Sequence, residues 1–468
     1  MTDMGKGPLA RVHGKLPALM REQCRRPISA RSSVAPILSL AAAAFLVGLT
    51  PACGDSGTTT TGSGGGATGG GGTGGAKPAC DGVDATGCTT VIGPTSDDTT
   101  SVQTALIEAN SGSTVCLCPG DYSFNNRLSL DVADVTLKGL GAVNTDVTLD
   151  FAGQMAGDDG ITVTSDGFTI ENLAVKNTPG NGVVASGVEG VTFRGLKVYW
   201  DAGSTTANGA YAVYPVKSSK VLIEDCEIVG AADAGLYVGQ SNQIIVRNNL
   251  VHGNVAGIEI ENSSNSEVYG NTSYDNSAGI LVFNLPNLEK KDGETCNVHD
   301  NEIYENDRDN FAAKGTIVAN VPPGIGMLIL AADDTEIHDN DIHDNRSVSI
   351  VSVSYDTLCD LTAGGDACKN ADPATDKYPE GLYIYGNTFT ANGLDPAAPF
   401  NVLGITPVED FVWDGDEKTA GDAKICLSTT PPSFRNFMGV ANIGMPANQS
   451  TDSTPYLCDG TKQSPISL

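Results

Sequence analysis

SKVLIEDCEIVGAADAGLYVGQS (219–241), NQIIVRNNLVHGNVAGIEIENS (242–263) and SNSEVYGNTSYDNSAGILVFNLP (264–286) are three consecutive segments of 23, 22 and 23 residues. Each contains a short β-branched run, a polar turn and a second short run that begins with Gly235, Gly257 or Gly279. A 22–23-residue period without helical spacing indicates short strands stacked into a solenoid. One coil cannot bury its apolar face alone, so neighbouring coils must cover it.

The first 79 residues have the composition of an export segment followed by a tether. A basic stretch that begins at Met20 precedes an apolar run, residues 35–49, which is too short to span a membrane. The next residues, Thr50-Pro-Ala-Cys53, resemble a bacterial lipobox, so we expect lipidation at Cys53, or otherwise cleavage nearby. Residues 53–79 then form a flexible Gly/Thr-rich tether. We therefore predict a protein exported by residues 1–52 and lipid-anchored in the periplasm or at the outer cell surface, or otherwise secreted.

The chain is strongly acidic. Its 27 Lys and Arg against 56 Asp and Glu give a net charge of −29, and removing residues 1–52, with seven basic and two acidic residues, leaves 20 − 54 = −34. This charge argues against nucleic acid as a partner and against anionic membranes, apart from the lipid anchor. We expect a monomer.

Ten cysteines follow Cys53 and indicate disulfides formed in an oxidising compartment. Cys116 and Cys118 are too close in sequence to bond to each other easily, so each is expected to bond elsewhere. The other candidates lie close in sequence or flank one loop region: Cys80, Cys88, Cys359, Cys368, Cys426 and Cys458.

The order of elements resembles secreted right-handed parallel β-helix proteins. A short amphipathic segment, residues 100–110, would cap the first coil. The later coils carry Asn-x-Ile-x-x-Asn followed by Gly-Ile-x-Ile. Three segments also resemble a bacterial exported subfamily of the pectate-lyase-like superfamily, with no established reaction: Tyr214-Pro-Val, Gly257-Ile-Glu-Ile-Glu-Asn262 and Asp309-Asn-Phe-Ala-Ala-Lys-Gly315.

This resemblance implies an all-β fold, a single-stranded right-handed parallel β-helix of about ten coils. We place a disulfide-stapled lead-in at residues 80–98, the β-helix at 99–395 and a loop-rich C-terminal cap at 396–468. Asn pairs spaced five apart recur in successive coils and are expected to form stacked ladders. They are Asn249/Asn254, Asn271/Asn276, Asn301/Asn306, Asn340/Asn345 and Asn387/Asn392.

Alternation along the Gly-led strands places one column of side chains outward. Two insertions, residues 200–209 and 307–324, precede these strands on either side of coils with short corners, so a cleft is expected over residues 214–284. Its floor holds candidate acid/base groups Asp233, Glu259 and Glu261, with Tyr237 as an auxiliary proton donor. Candidate substrate-binding residues are Tyr214, Lys217, Gln240, Asn262, Phe283, Asn284 and Lys314.

These residues favour a protein that binds, and in one alternative also processes, extracellular or periplasmic polysaccharide. A glycoside hydrolase fits better than a uronate lyase or epimerase, because an acidic floor repels uronate unless a metal such as Ca²⁺ lies between them; no motif requires a cofactor. Two other interpretations stay open. One is that the exposed Glu residues are merely solvated on a non-catalytic adhesion scaffold. The other is a periplasmic metal-delivery protein, with a weak metal site at His299, His338, Asp339 and His343.

Overall fold

The computed structural model describes Cys80 and residues 82–362 and 364–468. The expected export segment, the lipidation site Cys53 and the tether lie outside the described residues. Within the described part, no helix combines the length and apolar character needed to cross a bilayer.

The described strands form three parallel sheets, which we call sheets 1, 2 and 3 in the order in which each coil passes through them. Sheet 1 has twelve strands: Thr90–Ile92, Thr114–Leu117, Thr136–Gly139, Thr169–Glu171, Glu189–Arg194, Ser219–Glu224, Asn242–Arg247, Ser264–Tyr269, Glu294–His299, Asp333–His338, Tyr383–Tyr385 and Cys426–Leu427. Sheet 2 has ten: Gly120–Ser123, Val147–Asp150, Ala174–Lys176, Lys197–Tyr199, Glu227–Val229, Leu250–His252, Thr272–Tyr274, Glu302–Tyr304, Asp341–His343 and Thr388–Thr390. Sheet 3 has eleven: Asn126–Leu130, Ala156–Val163, Val183–Ser186, Val213–Val216, Ala234–Gly239, Ala256–Glu261, Ala278–Phe283, Ile325–Leu330, Val348–Val353, Phe411–Trp413 and Phe434–Asn436.

Ten of the described coils contribute a strand to all three sheets, and further strands of sheets 1 and 3 make the solenoid longer than the ten or so coils predicted from the sequence. Inward residues of consecutive coils stand directly above one another, for example Leu236, Ile258 and Ile280. All three are 0–1% exposed and belong to one continuous apolar core. Sheets 1 and 3 continue beyond residue 395, so the predicted end of the β-helix lies too early in the chain.

Two asparagine ladders line the turns on either side of the sheet 2 strands, as expected. In the first, the Asn249 amide donates to Asn271 Oδ1 at 2.9 Å, and the same contact recurs from Asn271 to Asn301 at 3.0 Å. Each Asn Oδ1 also accepts from the backbone N–H of the preceding Asn, at 3.0 Å for Asn249. These bonds satisfy polar groups that are buried in every turn. Cys226 stands one coil earlier, and its backbone N–H donates to Asn249 Oδ1 at 3.0 Å.

Helices are few in the described part. The helix Asp98–Ile107 covers the first coil with Val102 and Leu106, and the Asp97 side chain accepts from Thr100 N at its start. Two short α-helices follow the ninth strand of sheet 3, and five 3₁₀ turns lie elsewhere: Tyr355–Leu361 and Gly365–Lys369, then Asn144–Asp146, Val318–Asn320, Val440–Asn442, Pro446–Asn448 and Thr454–Tyr456.

Within the described residues, four disulfides fasten the two ends of the solenoid and one insertion. Cys80 bonds Cys118 and Cys88 bonds Cys116, so the Cys116–Cys118 pair does divide between two partners. The other two bridges are Cys359–Cys368 and Cys426–Cys458. Cys226 and Cys296 are buried free thiols inside the coils and form no disulfide. Disulfides of this number are typical of proteins that fold in an extracytoplasmic compartment.

Candidate active site on sheet 3

The outer face of sheet 3 carries an acidic cluster built by register. Tyr237 stands beside Glu259 in the next coil, and Gly239 stands beside Glu261. Alternation puts Glu259 and Glu261 on the same face of one strand, about 6.6 Å apart along the chain. Asp233, at the corner just before its strand, faces the same cluster and raises the pKa of Glu259. The three carboxyl groups predicted from the sequence therefore come together.

Three tyrosines lie over these carboxyl groups. The rings of Tyr211, Tyr214 and Tyr237 are in mutual contact, with centroids 4.6–4.9 Å apart. The Tyr237 hydroxyl donates a hydrogen bond to Glu261 Oε2. Tyr237 reaches Glu261 by leaning along its own strand over Gly239, where any Cβ would collide with the tyrosine ring. Glycine at this position therefore permits the tyrosine–carboxyl contact.

The predicted open floor is wrong in one respect, because the acidic cluster is covered. Glu259 is 3% exposed and Glu261 is 6% exposed. The two insertions that were expected to flank a cleft meet each other, since Thr206 Oγ1 donates to the Phe311 carbonyl at 2.7 Å. Phe311 packs against the apolar side chains that surround Tyr237. The interpretation of these Glu residues as solvated surface groups is therefore also wrong.

Burial raises the pKa of all three carboxyl groups. For Glu261, loss of hydration raises the pKa to about 7, although the hydrogen bond from Tyr237 opposes the shift. For Glu259, burial raises the pKa well above its usual value, and the charges of Asp233 and Glu261 raise it further. Burial and the Glu261 charge likewise raise the pKa of Asp233. Near neutral pH the cluster therefore holds protons that it can donate.

The site includes residues that the sequence analysis missed. Tyr211 lies within hydrogen-bonding reach of Asp233 and precedes the Val213–Val216 strand by two residues. Asn181 donates to Asp159 Oδ1 at 2.9 Å, and its own Oδ1 accepts from Tyr211 N at 3.1 Å. Burial raises the pKa of Tyr214 to about 12, and the charges of Glu261 and then Asp159 contribute to this shift. The sequence Tyr211-Ala-Val-Tyr214 could have indicated Tyr211, because it carries a second tyrosine beside Tyr214. Asp159 lies two coils earlier, and no sequence pattern indicated that it belongs to this site.

Most of the predicted substrate-binding row is occupied by the protein itself. Residues 285–293 fold back over the ends of the sheet 3 strands, and three amide side chains bond their backbone. Gln240 Oε1 accepts from Glu289 N at 3.0 Å, Asn262 Oδ1 from Leu285 N at 2.8 Å, and Asn284 Oδ1 from Gly293 N at 2.8 Å. Lys217 Nζ binds Glu289 Oε2 at 2.6 Å. These residues therefore hold the segment 285–293 in place.

The remaining predicted positions differ in exposure. Tyr214 and Asp233 are partly exposed, on the side of the earlier coils, whereas Phe283 is 8% exposed within an apolar cluster. Lys314 is exposed on the second insertion, and no contact with the acidic cluster is shown for it. Beyond Phe283, the same face contains a cavity of about 330 Å³ lined mainly by apolar side chains, among them Leu328, Leu330, Val351, Leu358 and Phe400.

The histidines predicted as a weak metal site belong to two separate ring stacks. His299 and His338 stack on sheet 1 with centroids 4.8 Å apart, whereas His343 stacks on Tyr304 of sheet 2 at 4.9 Å. Asp339 is bonded to the ring of His338 at 2.8 Å. No group of three or more His, Cys, Asp or Glu in the described residues has the arrangement of a metal site. The expected single His/Asp column is therefore not formed.

Comparison with known proteins agrees with the architecture. Residues 159–307 and 204–364 match the family model for the right handed beta helix region. No curated protein sequence matches the chain significantly.

Among solved structures, the chain is similar to the A-module of a mannuronan C-5 epimerase from Azotobacter vinelandii, with 17% identity, a TM-score of 0.47 and coverage of 71% of this chain and 78% of that one. It is also similar to an alginate lyase from Paenibacillus, with 15% identity, a TM-score of 0.45 and coverage of 66% and 98%. A third is the catalytic unit of an α-1,3-glucanase from Streptomyces thermodiastaticus, with 18% identity, a TM-score of 0.43 and coverage of 74% and 51%. The three parallel sheets and the family match together identify a right-handed parallel β-helix region in this chain.

Proposed function

We propose that this protein binds a neutral polysaccharide on the outer face of sheet 3 and hydrolyses it with the acidic cluster. The observation that carries the proposal is the covered group of Asp233, Glu259 and Glu261, whose pKa values are raised mainly by burial. Burying several carboxyl groups without a cation is costly, and such groups with raised pKa values occur preferentially at functional sites.

Two carboxyl groups are sufficient for glycoside hydrolysis. One carboxylic acid protonates the oxygen of the leaving sugar, and one carboxylate removes a proton from the attacking water. Water is thus added across the glycosidic bond, and the proton lost by the acid is balanced by the proton gained by the base. Glu259 and Glu261 occupy adjacent outward positions for these two roles, and Asp233 keeps their pKa values apart. The raised pKa of Tyr237 keeps its proton in place, so Tyr237 orients Glu261 by its hydrogen bond.

A neutral substrate fits the charges of this face better than a uronate. Lys217, the basic side chain predicted for the sheet 3 strands, is already paired with Glu289. A uronate carboxylate would therefore approach several carboxyl groups without a counter-charge. Tyr214 and Asp233 are partly exposed, so we infer that the substrate reaches the acidic cluster from the side of the earlier coils. The contact between Thr206 and Phe311 has to open for a long polysaccharide chain to pass.

The test is product analysis on a panel of soluble neutral and uronate polysaccharides, with Ca²⁺ and with a chelator. We expect new reducing ends from a neutral polysaccharide, and a loss of at least about 100-fold in rate for Glu259→Gln and Glu261→Gln. Glu302→Gln, an exposed position on sheet 2, is the control that should retain full activity. Binding without cleavage would replace the hydrolase by a non-catalytic adhesion module. Cleavage that survives both Gln variants would refute the assignment of the site.

A further inference from the structure

The C-terminal segment, residues 459–468, lies across the outer face of sheet 1 and encloses a groove. Gln463 N donates to Glu336 Oε2 at 2.6 Å, and Ile466 N donates to Glu267 Oε2 at 3.2 Å. The groove between this segment and the sheet has a volume of about 910 Å³. Sheet 1 and sheet 3 are different faces of the coils, so this groove is separate from the acidic cluster described above.

Under the C-terminal segment, three acceptor side chains stand in consecutive coils. Glu267 pairs with Asn297 in the next coil, and Asn297 pairs with Glu336 in the coil after that. They are 7%, 8% and 2% exposed, respectively. Asn297 Oδ1 is buried and accepts no hydrogen bond. A buried acceptor without a partner is unusual and unfavourable, so this position lacks a donor.

A stack of aromatic rings beside this row fixes the two carboxylates. His299 Nε2 contacts Glu267 Oε1 at 3.2 Å, and the Tyr385 hydroxyl donates to Glu336 Oε1 at 2.7 Å. Each carboxylate therefore has one oxygen held by a ring of the protein and the other turned to the C-terminal segment. The row is thus pre-organised to accept hydrogen bonds from something that lies along the solenoid axis.

The C-terminal segment matches this row only in part. Coils repeat every 4.8 Å or so, whereas the N–H groups on one side of an extended peptide repeat every 6.6 Å or so. The segment bonds Glu336 and Glu267 through N–H groups three residues apart, which span about two coil repeats, and it misses Asn297 between them. The disulfide between Cys426 and Cys458 fixes the start of the segment.

We propose that the acceptor row of Glu267, Asn297 and Glu336 on sheet 1, of which Glu336 also lines the groove, is a second polysaccharide-binding site, and that residues 459–468 are a displaceable internal occupant of it. The row offers acceptors at every coil, so its ligand must supply a donor at every coil. A chain of neutral sugars carries hydroxyl donors on each residue, whereas a peptide alternates donors with acceptors. The site binds glycan without cutting it, and it would let the protein stay attached to a polysaccharide while sheet 3 acts on another part.

The experiment compares the parent with a chain that ends at Asp459, which keeps the Cys426–Cys458 disulfide. Affinity is measured by titration calorimetry with dextran, galactomannan and hydroxyethyl cellulose, in a Glu259→Gln background so that nothing is cleaved. We expect at least one of these probes to bind about 10-fold more tightly to the shortened chain. Asn297→Leu in the shortened chain should remove most of that gain, and a synthetic peptide of residues 460–468 should compete with the glycan.

A second variant tests the same idea if the shortened chain fails to fold. Gln463→Pro removes the N–H that donates to Glu336 together with the side-chain amide that donates to the carbonyls of Cys296 and Asp334, and it should raise glycan affinity in the same direction. In the parent, a bound glycan should speed hydrogen exchange at the amides of Gln463 and Ile466. Unchanged affinity in a folded shortened chain, or binding of the peptide but of none of the glycans, would overturn the proposal. Because the gain in affinity and its loss in Asn297→Leu report on sheet 1 alone, the result is independent of whether sheet 3 binds or cleaves glycan.

Discussion

Replacing Glu261 with Gln should stabilise the protein at alkaline pH and leave its stability nearly unchanged at acid pH. Glu261 is 6% exposed, and burial raises its pKa from 4.5 to about 7. Glutamine has nearly the same shape, and its Oε1 still accepts the hydrogen bond from Tyr237. The substitution therefore removes the ionisation while keeping the packing.

The sign follows from proton binding. Between pH 4.5 and about 7 the unfolded chain has lost the Glu261 proton while the folded chain retains it, so stability falls as pH rises through this window. A difference of about 2.5 pH units between the folded and the unfolded pKa of Glu261 corresponds to about 3 kcal/mol of stability. This loss of stability is complete above pH 7 or so and has not begun below pH 4.5 or so. With an unfolding entropy of about 2.1 cal/mol/K per residue over roughly 390 residues, this energy is about 4 °C in Tm.

The assay is thermal unfolding of the parent and the Glu261→Gln variant from pH 4 to pH 8 under oxidising conditions. We expect the Tm difference to grow from near zero to about 4 °C in favour of the variant. Glu224→Gln is the matched control, because Glu224 is equally buried but bonds Arg194 at 2.5 Å and Arg247 at 2.5 Å. These contacts lower the pKa of Glu224, so the control should lose stability at pH 8. A Tm difference for Glu261→Gln that is flat with pH would refute the reasoning.

Three other substitutions test other parts of the structure. Tyr237→Phe removes the hydrogen bond that lowers the pKa of Glu261, so the alkaline limb of the activity profile, measured on a cleaved glycan, should move to higher pH. Asn271→Ala leaves several buried ladder groups without partners and should cost about 3 kcal/mol by chemical denaturation, against less than about 0.5 for the exposed Asn125→Ala. Cys226→Asn would extend the ladder by one amide, and we expect it to raise Tm by a degree or two, whereas a lower Tm would show that the thiol fits that turn better.

The fold could be predicted from the sequence because each coil repeats the same local chemistry. The spacing of Asn249, Asn271 and Asn301 fixes where the turns stack, and alternation then determines which residues enter the core. What could not be predicted is which thiols pair across coils. Cys80 bonds Cys118 rather than Cys88 because two neighbouring strands, Thr90–Ile92 and Thr114–Leu117, bring the two ends of the lead-in together. That pairing is a property of sheet register and leaves no mark in local spacing.

The sequence predicts that the carboxyl groups of Asp233, Glu259 and Glu261 lie together on sheet 3, but it does not predict that the cluster is covered. Alternation brought Glu259 and Glu261 to one face, yet it carries no information on what covers that face. Ten residues separate Phe283 from Glu294 where two separate Gly239 from Asn242. This difference was a usable signal that residues between the strands fold back over the sheet.

Neighbouring cations separate the buried acidic positions whose ionisation stabilises this solenoid from those whose ionisation destabilises it. Glu224 and Glu261 are both outward, both buried to the same degree and both on strands of equal length. Glu224 lies between two arginines that lower its pKa, so its ionisation contributes to folding. Burial raises the pKa of Glu261, and the hydrogen bond from Tyr237 offsets only part of this shift, so the ionisation of Glu261 opposes folding. At Glu224, arginines in both adjacent coils, Arg194 and Arg247, offset the effect of burial. The proposed proton transfer on sheet 3 requires a carboxyl group whose charged form is destabilised by burial, and the pH dependence of Glu261→Gln measures this destabilisation directly.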